Sequence, residues 1–194
     1  MTRRRLITAG GIAVAAGVLG GWLVVRAPRW FKRPATTKSA ANVPAVPSAG
    51  RKIKARVFYV ADEGDRLMSV ERDVAFGEGT AEQARQLIEA QIAPVAEPLV
   101  SAVPPGTKLR ALFVTERGEA YVDLSHDIVG SHSGGSMNEL LTVHTLVDVL
   151  TSNLPAVTSV QLLVDGKEVE TLAGHVDLRR PLAKTLDWAI ESEK

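Results

Sequence analysis

Two side chains that could do chemistry stand at alternate positions near the end of the chain, His175 and Asp177. Alternate residues of a strand face the same side, so an imidazole and a carboxylate placed there could bind a metal ion or polarise a water molecule. The sequence identifies no third ligand, since Asp123 and His126 are only guesses. We therefore favour a hydrogen-bonded pair that fixes the loop, and we predict no catalytic residue, no metal site and no cofactor.

A serine, a histidine and an aspartate follow one another at Ser125-His126-Asp127. A hydrolytic triad needs its three side chains to converge in space, which adjacent residues do not normally achieve, so we discount it. The loop 131–136, Ser-His-Ser-Gly-Gly-Ser, could hold an anion on free helix amides, but no lysine follows it as in a P-loop. Helix capping is the favoured interpretation, with His132 exposed in the loop.

One further histidine lies within a helical pattern, His144, one turn before Asp148. At this spacing the two side chains can pair on the surface of a helix. The alternative is a histidine at the edge of the core. Either interpretation outweighs a catalytic role for this pair.

The segments that must position these residues include several strands. Five segments have the alternation and β-branched content of strands, namely 52–60, 67–74, 109–114, 120–124 and 158–164. Asp165-Gly166 is a strong hairpin signal. It predicts a return strand at 168–172.

Two capping boxes predict where helices begin. Thr80-Ala-Glu-Gln83 precedes a stripe of Ala84, Leu87, Ile88 and Ile92, and Ser136-Met-Asn-Glu139 precedes an apolar face that ends at Leu154. In such a box the hydroxyl and the carboxyl or amide side chain satisfy the first free amides of the helix. A shorter helical pattern, formed by Leu186, Trp188, Ala189 and Ile190, predicts a C-terminal helical tail at 184–194, which would cover a sheet edge or offer a partner surface.

The composition excludes several classes of function. The formal net charge is +1, and the basic residues cluster near the N-terminus, so no basic surface for nucleic acid is indicated. The chain has no cysteine, which removes disulfides, zinc–thiolate sites, thiol nucleophiles and a lipidated cysteine.

The N-terminal segment predicts attachment to a membrane. Residues 1–5 would be a cytoplasmic tail, and residues 6–25 are an uncharged apolar run of about the 20 residues that span a bilayer as a helix. Residues 26–50, rich in Ala, Pro, Ser and Thr, predict a disordered linker. An uncleaved signal anchor is favoured over a cleaved signal peptide, because Val25-Arg-Ala27 followed by Pro28 is a poor cleavage site. Both flanks of the run are basic, so charge alone does not fix the orientation.

The motifs from Tyr121 onward resemble the GerMN domain of sporulation and spore germination proteins. The motifs that carry the resemblance are Tyr121-Val-Asp-Leu-Ser125, Gly134-Gly-Ser136, Thr145-Leu146, Val160 to Lys167, and Gly174-His-Val-Asp-Leu-x-x-Pro181-Leu182. The resemblance covers about residues 53–183 as one copy. It implies an α/β (α+β) fold with a mixed β-sheet and two or three helices packed on it, here preceded by one transmembrane helix.

The resemblance also implies a cellular location and a type of function. We expect a GerMN-like domain at 51–183, on the extracytoplasmic side of the cell membrane, that binds an envelope protein complex or peptidoglycan without catalysis. A sporulation role is less well supported, because the chain has one copy and no lipidation cysteine. Its expected binding residues are Asp123, Gly174, His175, Asp177 and Pro181. The alternatives are a peptidoglycan hydrolase or metal-dependent enzyme of the envelope, and a domain secreted after signal cleavage.

Overall fold

The computed structural model of the chain describes residues 50–184 and 189–191. It begins with a long antiparallel hairpin, in which β1 (Lys52–Val60) pairs along its whole length with β2 (Leu67–Ala75). The connecting turn contains Gly64 at a φ of 75°, a conformation that costs glycine little. The alternation in these two segments predicted both strands.

Helix α1 (Gly79–Ile92) follows the hairpin. The predicted stripe is confirmed, since Ala84, Leu87 and Ile88 are buried in the core. After an irregular stretch come β3 (Leu109–Val114) and β4 (Glu119–Leu124), which pair as a second antiparallel hairpin.

The elements that support the candidate site come next. They are a one-turn helix α2 (Asp127–Gly130), the long helix α3 (Ser136–Asn153) and β5 (Ser159–Val164). Strand β5 lies parallel to β4, with α3 in the crossover between them, as parallel neighbours require. Two short strands then pair with β5, β6 (Lys167–Glu168) and β7 (Leu182–Ala183).

The prediction of an α+β fold with mixed strand directions is confirmed. The prediction of a single sheet was wrong, because the strands form two sheets. One sheet has the order β1-β2-β8, where β8 is Ala189–Glu191, and the other has the order β3-β4-β5-β6 with β7 also on β5. Helix α3 contacts β1 of the first sheet and β5 of the second. The sheets do not join at β1, because side chains from α1 and α3 occupy its outer edge.

Helix α3 is buried on every side, where the sequence predicted one wide apolar face. All residues from 141 to 150 are buried, because strands of both sheets and helix α1 surround the helix. Pairing of His144 with Asp148 on a surface was therefore wrong, since both are buried within α3, at 7% and 1% exposure. The alternative of a histidine at the edge of the core agrees with its burial.

Neither predicted capping box forms. Helix α1 begins before Thr80, and Gln83 reaches beyond the helix, accepting from the amide of Gly77 and donating to the carbonyl of Ala75. At α3 no side chain caps the first turn. Instead Asn138 donates to the carbonyl of Gly134 at 3.0 Å. These contacts fix the loops that precede the two helices. The capping-box pattern had predicted contacts within the first helical turn instead.

The ends of the chain bear on two further predictions. Ala189–Glu191 form the strand β8, parallel to Leu67–Ser69, where a helix was predicted. Four residues of helical pattern are too few to hold a helix, whereas the edge of β2 offers backbone groups to pair with. Leu186 and Trp188 lie outside the described residues, as do the segments 1–5 and 6–25. Within residues 50–184 and 189–191, no helix is long and apolar enough to span a bilayer.

Candidate functional site

A buried carboxylate at the start of α3 organises the loop in which most of the predicted site residues lie. Glu139 is 0% exposed. Its Oε1 accepts from the backbone amides of Leu172 at 2.8 Å and Ala173 at 2.9 Å, and its Oε2 accepts from the amide of His175 at 2.8 Å. A single carboxylate thus fixes three backbone amides within residues 172–175, a segment without regular structure.

The same carboxylate holds the ring of His175. Nδ1 of the imidazole lies 3.2 Å from Oε2 of Glu139. An ionised carboxylate can only accept, so Nδ1 carries the hydrogen and donates it. In the neutral ring Nε2 is then an acceptor, and the side chain of His175 is 45% exposed. The arrangement presents one defined ring nitrogen from a fixed position.

The hydrogen bonds keep Glu139 ionised in spite of its burial. Burial raises the pKa of this carboxyl. The hydrogen bonds from the backbone amides of Ala173, His175, Leu172 and Val176 together lower the pKa by more than burial raises it, so the net shift is downward. Donated hydrogen bonds stabilise the charged form. The negative charge at the base of the loop is therefore a permanent feature at neutral pH.

The loop leaves the sheet earlier than the sequence predicted. The hairpin at Asp165-Gly166 is confirmed, with φ of 50° and 76° at the two residues, but β6 ends at Glu168 instead of continuing to Leu172. Leu172 is buried at 5% exposure. Its backbone amide donates to Glu139 and not to a carbonyl of β5, so the chain at Leu172 no longer pairs with the sheet.

The surface of this loop forms an open pocket of about 200 Å³, lined by Glu170, Thr171, His175, Asp177 and Arg179. The lining contains hydrogen-bond donors, acceptors and both signs of charge, and no phenylalanine, tyrosine or tryptophan. Such a pocket suits a polar group of a protein or glycan better than an apolar ligand.

His175 and Asp177 do not form the predicted pair. They lie in irregular backbone and have separate partners. Asp177 accepts from the guanidinium of Arg179 at 2.7 and 2.9 Å and from its backbone amide at 3.0 Å. The side-chain hydrogen bond from Arg179, followed by the one from its amide, lowers the pKa of Asp177. Both residues nevertheless line the same pocket.

The structure places Asp123 away from this pocket. Its Oδ1 accepts from the amide of Gly166 at 2.7 Å, and its Oδ2 lies 3.5 Å from the guanidinium of Arg110, which also contacts Asp165 at 3.1 Å. These contacts fix the turn between β5 and β6. We assign Asp123 to that turn.

The two remaining predicted residues shape the loop without lining the pocket. Gly174 has a φ of 96°, a region that favours glycine, and its amide donates to Oγ1 of Thr171 at 2.9 Å. Pro181 is exposed and directly precedes β7. Sequence reasoning missed Glu139, Glu170, Thr171 and Arg179, and it named no signal that links Glu139 to this loop.

The other candidate motifs have structural roles. Oγ of Ser125 donates to Asp127 at 2.7 Å, and His126 is exposed beside them, so no triad forms. His132 is half-buried, which corrects its predicted exposure. Its Nδ1 accepts from the amide of Gly134 at 2.9 Å, and its Nε2 lies 3.2 Å from Oγ1 of Thr142. Across the described part of the chain, no three histidine or carboxylate side chains are placed to hold a metal ion.

Comparison with known families and structures gives one match by sequence. The sequence model of the Germane family, described as sporulation and spore germination, matches residues 56–170. Among curated proteins no relative matches.

Solved structures resemble this chain at low sequence identity. They include a protein described as a lipoprotein from Clostridium perfringens, 20% identical over 69% of this chain and 88% of that chain, with a TM-score of 0.49. The tandem GerMN domains of the sporulation protein GerM from Bacillus subtilis are 14% identical over 69% and 46% of the two chains, with a TM-score of 0.54. The first GerMN domain alone is 18% identical over 69% and 96%, with a TM-score of 0.46.

Proposed function

This chain belongs to the Germane family, described as sporulation and spore germination, and from that premise we propose that it is a non-catalytic binding domain of the bacterial envelope. The domain acts in sporulation or germination by recognising a protein or cell-wall partner. It is held at the membrane by one helix at residues 6–25, with the domain on the extracytoplasmic side.

The observation that supports a binding role is the fixation of the loop by Glu139. Three backbone amides and the ring of His175 are held by one buried carboxylate. A loop that is ordered before it meets its partner loses less conformational entropy on binding. We assign recognition to this surface, with Nε2 of His175 as acceptor and Arg179 and Glu170 as charged contacts.

The chemistry of the pocket favours binding over hydrolysis. A hydrolase needs a nucleophile or a polarised water whose base is oriented by a third group. His175 is oriented by Glu139, but Asp177 is committed to Arg179, and Asp123 is committed to the turn at Gly166. Both carboxylates have hydrogen-bond partners other than His175, which supports binding over hydrolysis.

Attachment to the membrane is supported by the sequence of residues 6–25, an uncharged run long enough to span a bilayer. Protease treatment of intact cells with a permeabilised outer layer tests the orientation. We expect digestion of the domain at residues 51–183 and recovery of the chain in the membrane fraction. A domain that is protected until the membrane is lysed, or a mature chain that lacks residues 6–25, would overturn the proposed attachment.

Photo-crosslinking in intact cells tests the assigned surface. A photoreactive residue at Arg180, which is exposed beside the pocket, is expected to capture one discrete envelope component. The same residue at Arg117, exposed in the turn between β3 and β4, is the matched control and is expected to capture none. Equal capture from both positions would show that the loop is not the recognition surface.

Deletion of the gene tests the biological role. We expect a lower yield of spores or slower germination, restored by the wild-type chain. Spore yield and germination rate in the deletion strain report on the whole protein. Complementation with the Glu139→Gln chain, compared with the wild-type chain, links the phenotype to the loop. Normal sporulation and germination in the deletion strain would contradict the proposed process.

A further inference from the structure

The two outer edges of the first sheet are treated differently. In β1 the backbone groups that face away from β2 are closed from Arg56 to Val60 by groups from other elements. Asn153 bonds to both the amide and the carbonyl of Arg56 at 2.8 Å, and Gln91 does the same to Phe58 at 2.9 and 2.7 Å. The amide of Val60 donates to the carbonyl of Val100 at 2.9 Å.

These side-chain amides imitate a neighbouring strand. Each supplies one acceptor and one donor to a single residue of β1, as a paired strand would. An unpaired edge is a template for association with another chain, and natural proteins close such edges. The outer edge of β1 from Arg56 to Val60 is therefore unavailable to a partner.

Within the described residues, the outer edge of β2 is closed only at its two ends. Hydrogen bonds flanking the hairpin, from Ala61 to Arg66 and from Phe76 to Arg51, fix the alternation, so the odd-numbered residues of β2 point their backbone groups outward. Strand β8 pairs with the segment Leu67–Ser69.

At the other end of β2 the carbonyl of Ala75 accepts from Gln83. Among residues 50–184 and 189–191, no group takes up the outward backbone of Glu71 and Asp73. This gap is the one stretch of β2 within the described chain that a further strand can still pair with.

The side chains beside this gap define what would fit there. On one face are Glu71 and Asp73, whose side chains are 66% and 50% exposed. On the other are the half-buried Val70 and Arg72. A strand added here would lie about 5 Å from this acidic row and about 10 Å from the basic row of β1.

Strand β1 already shows a sequence that complements these two rows. Its basic residues Lys52, Lys54 and Arg56 alternate with apolar ones, and Lys54 lies 2.8 Å from Asp73 and 3.9 Å from Glu71. The second edge of β2 presents the same acidic row on one face, and Val70 with Arg72 on the other. A segment with the same alternation therefore meets opposite charge on one face and the half-buried Val70, beside Arg72, on the other.

We propose that the edge of β2 at Glu71–Asp73 is a docking site for an extended segment of a partner protein with basic and apolar residues at alternate positions. The segment adds a strand to the sheet by backbone pairing, a common mode of peptide recognition. This surface is separate from the loop fixed by Glu139, so the two assignments can fail independently.

A synthetic peptide with the sequence of residues 51–57 is the probe, and the full-length chain is the target. Fluorescence anisotropy of the labelled peptide gives the affinity. We expect binding that weakens at least about tenfold when the three alternating cations of the peptide are replaced by glutamate, since like charges on neighbouring strands oppose pairing. A peptide N-methylated at alternate amides is expected not to bind. Equal affinity of all three peptides would overturn the proposal.

Variants of the chain locate the binding site. Glu71→Lys with Asp73→Lys is expected to weaken binding at least about tenfold, while Asp62→Lys with Glu63→Lys, in the exposed turn of the same hairpin, is the matched control. Circular dichroism confirms that both variants fold. Loss of binding in the control pair, or retention in the edge pair, would contradict the assignment.

Hydrogen exchange distinguishes edge pairing from two other outcomes. The peptide is expected to slow exchange at the amides of Glu71 and Asp73 and to leave Phe58 protected by Gln91. Loss of protection at Phe58 would mean that the peptide replaces β1, which overturns the proposal. Sedimentation of the full-length chain without peptide is expected to show no association that depends on Glu71 and Asp73. Such association would assign the edge to a second copy of this chain.

Discussion

Glu139 and His175 are joined at two points, by the backbone amide of His175 at 2.8 Å and by its Nδ1 at 3.2 Å from the same carboxylate oxygen. The carboxylate comes from the first turn of α3, and the histidine from a loop 36 residues later. This contact determines which ring nitrogen faces the pocket. It also connects the loop to the most deeply buried helix of the domain.

Replacing the carboxylate by an amide tests the importance of this contact. Glu139→Gln leaves one oxygen to accept where two were present, and its NH₂ group faces backbone donors. We expect a loss of about 1–3 kcal/mol in the free energy of unfolding, the cost of buried donors without acceptors, measured by denaturant titration. Glu168→Gln, exposed on β6, is the control. Equal stability of the two variants would contradict the role given to Glu139.

The lowered pKa of Glu139 makes its contribution depend on pH in a defined direction. The unfolded chain binds a proton at the ordinary pKa of 4.5, more tightly than the folded chain. The contribution is therefore complete above pH 4.5 and is lost as the pH falls through the folded pKa. We expect the stability difference between wild type and Glu139→Gln to shrink below pH 4.5. A difference that grows in acid would reverse the assigned sign.

His144 should give a second pH dependence, nearer neutrality. Burial lowers its pKa from 6.5, so the unfolded chain takes up a proton that the folded chain resists. Stability then falls as the pH drops below 6.5 toward the folded pKa. Urea unfolding between pH 7.5 and 5, a range chosen to bracket about 6.5, should show this fall in wild type and a smaller one in His144→Gln. Parallel curves for the two chains would contradict the prediction.

Gln91 should matter more than its uncharged side chain suggests. It is 0% exposed and bonds to both backbone groups of Phe58. Gln91→Met keeps the length of the side chain but leaves a buried amide and carbonyl without partners, which should cost about 1–3 kcal/mol for each group. Gln86→Met, on the same helix with one contact to Glu82, is the control. Thermal unfolding that fails to separate the two variants would argue against closure of the β1 edge by Gln91.

The sequence predicted what neighbouring residues determine. The hairpins at Gly64, Gly118 and Asp165-Gly166 follow from turn chemistry, and the strands between them follow from alternation. The stripe of α1 was equally clear. Each of these features depends on contacts within a few residues or on one buried face.

The rest depends on partners far apart in the chain. Glu139 fits the local pattern of a capping box, yet its carboxylate oxygens accept hydrogen bonds from backbone amides of residues 172–175. No local sequence pattern predicts these distant contacts. The burial of His144 depends on two sheets closing around α3. The assignment of Asp123 to a turn depends on the pairing of β4 with β5. The closure of the outer edge of β1 likewise depends on Asn153 and Gln91. Their side chains bond to the backbone of Arg56 and Phe58, and no sequence pattern predicts these two contacts.

Asp123 provides a test that separates structural from binding residues. Asp123→Ala removes the acceptor of the Gly166 amide and should lower the free energy of unfolding by about 1–3 kcal/mol, while crosslinking from Arg180 should persist in the folded fraction. Asp165→Asn, which keeps the acceptor of Gly166 and suits the positive φ of this position but removes the charge that contacts Arg110, is the comparison. Loss of crosslinking without loss of stability would return Asp123 to the binding site.

The central claim is that Glu139 fixes a loop whose surface recognises an envelope component. The most direct test is the yield of the crosslink from Arg180 in intact cells that make equal amounts of wild-type chain or of Glu139→Gln. The account predicts a fall of at least about tenfold with Glu139→Gln, because each 1.4 kcal/mol of lost preorganisation weakens binding by about that factor. An unchanged yield, from a variant whose loop amides exchange freely, would contradict it.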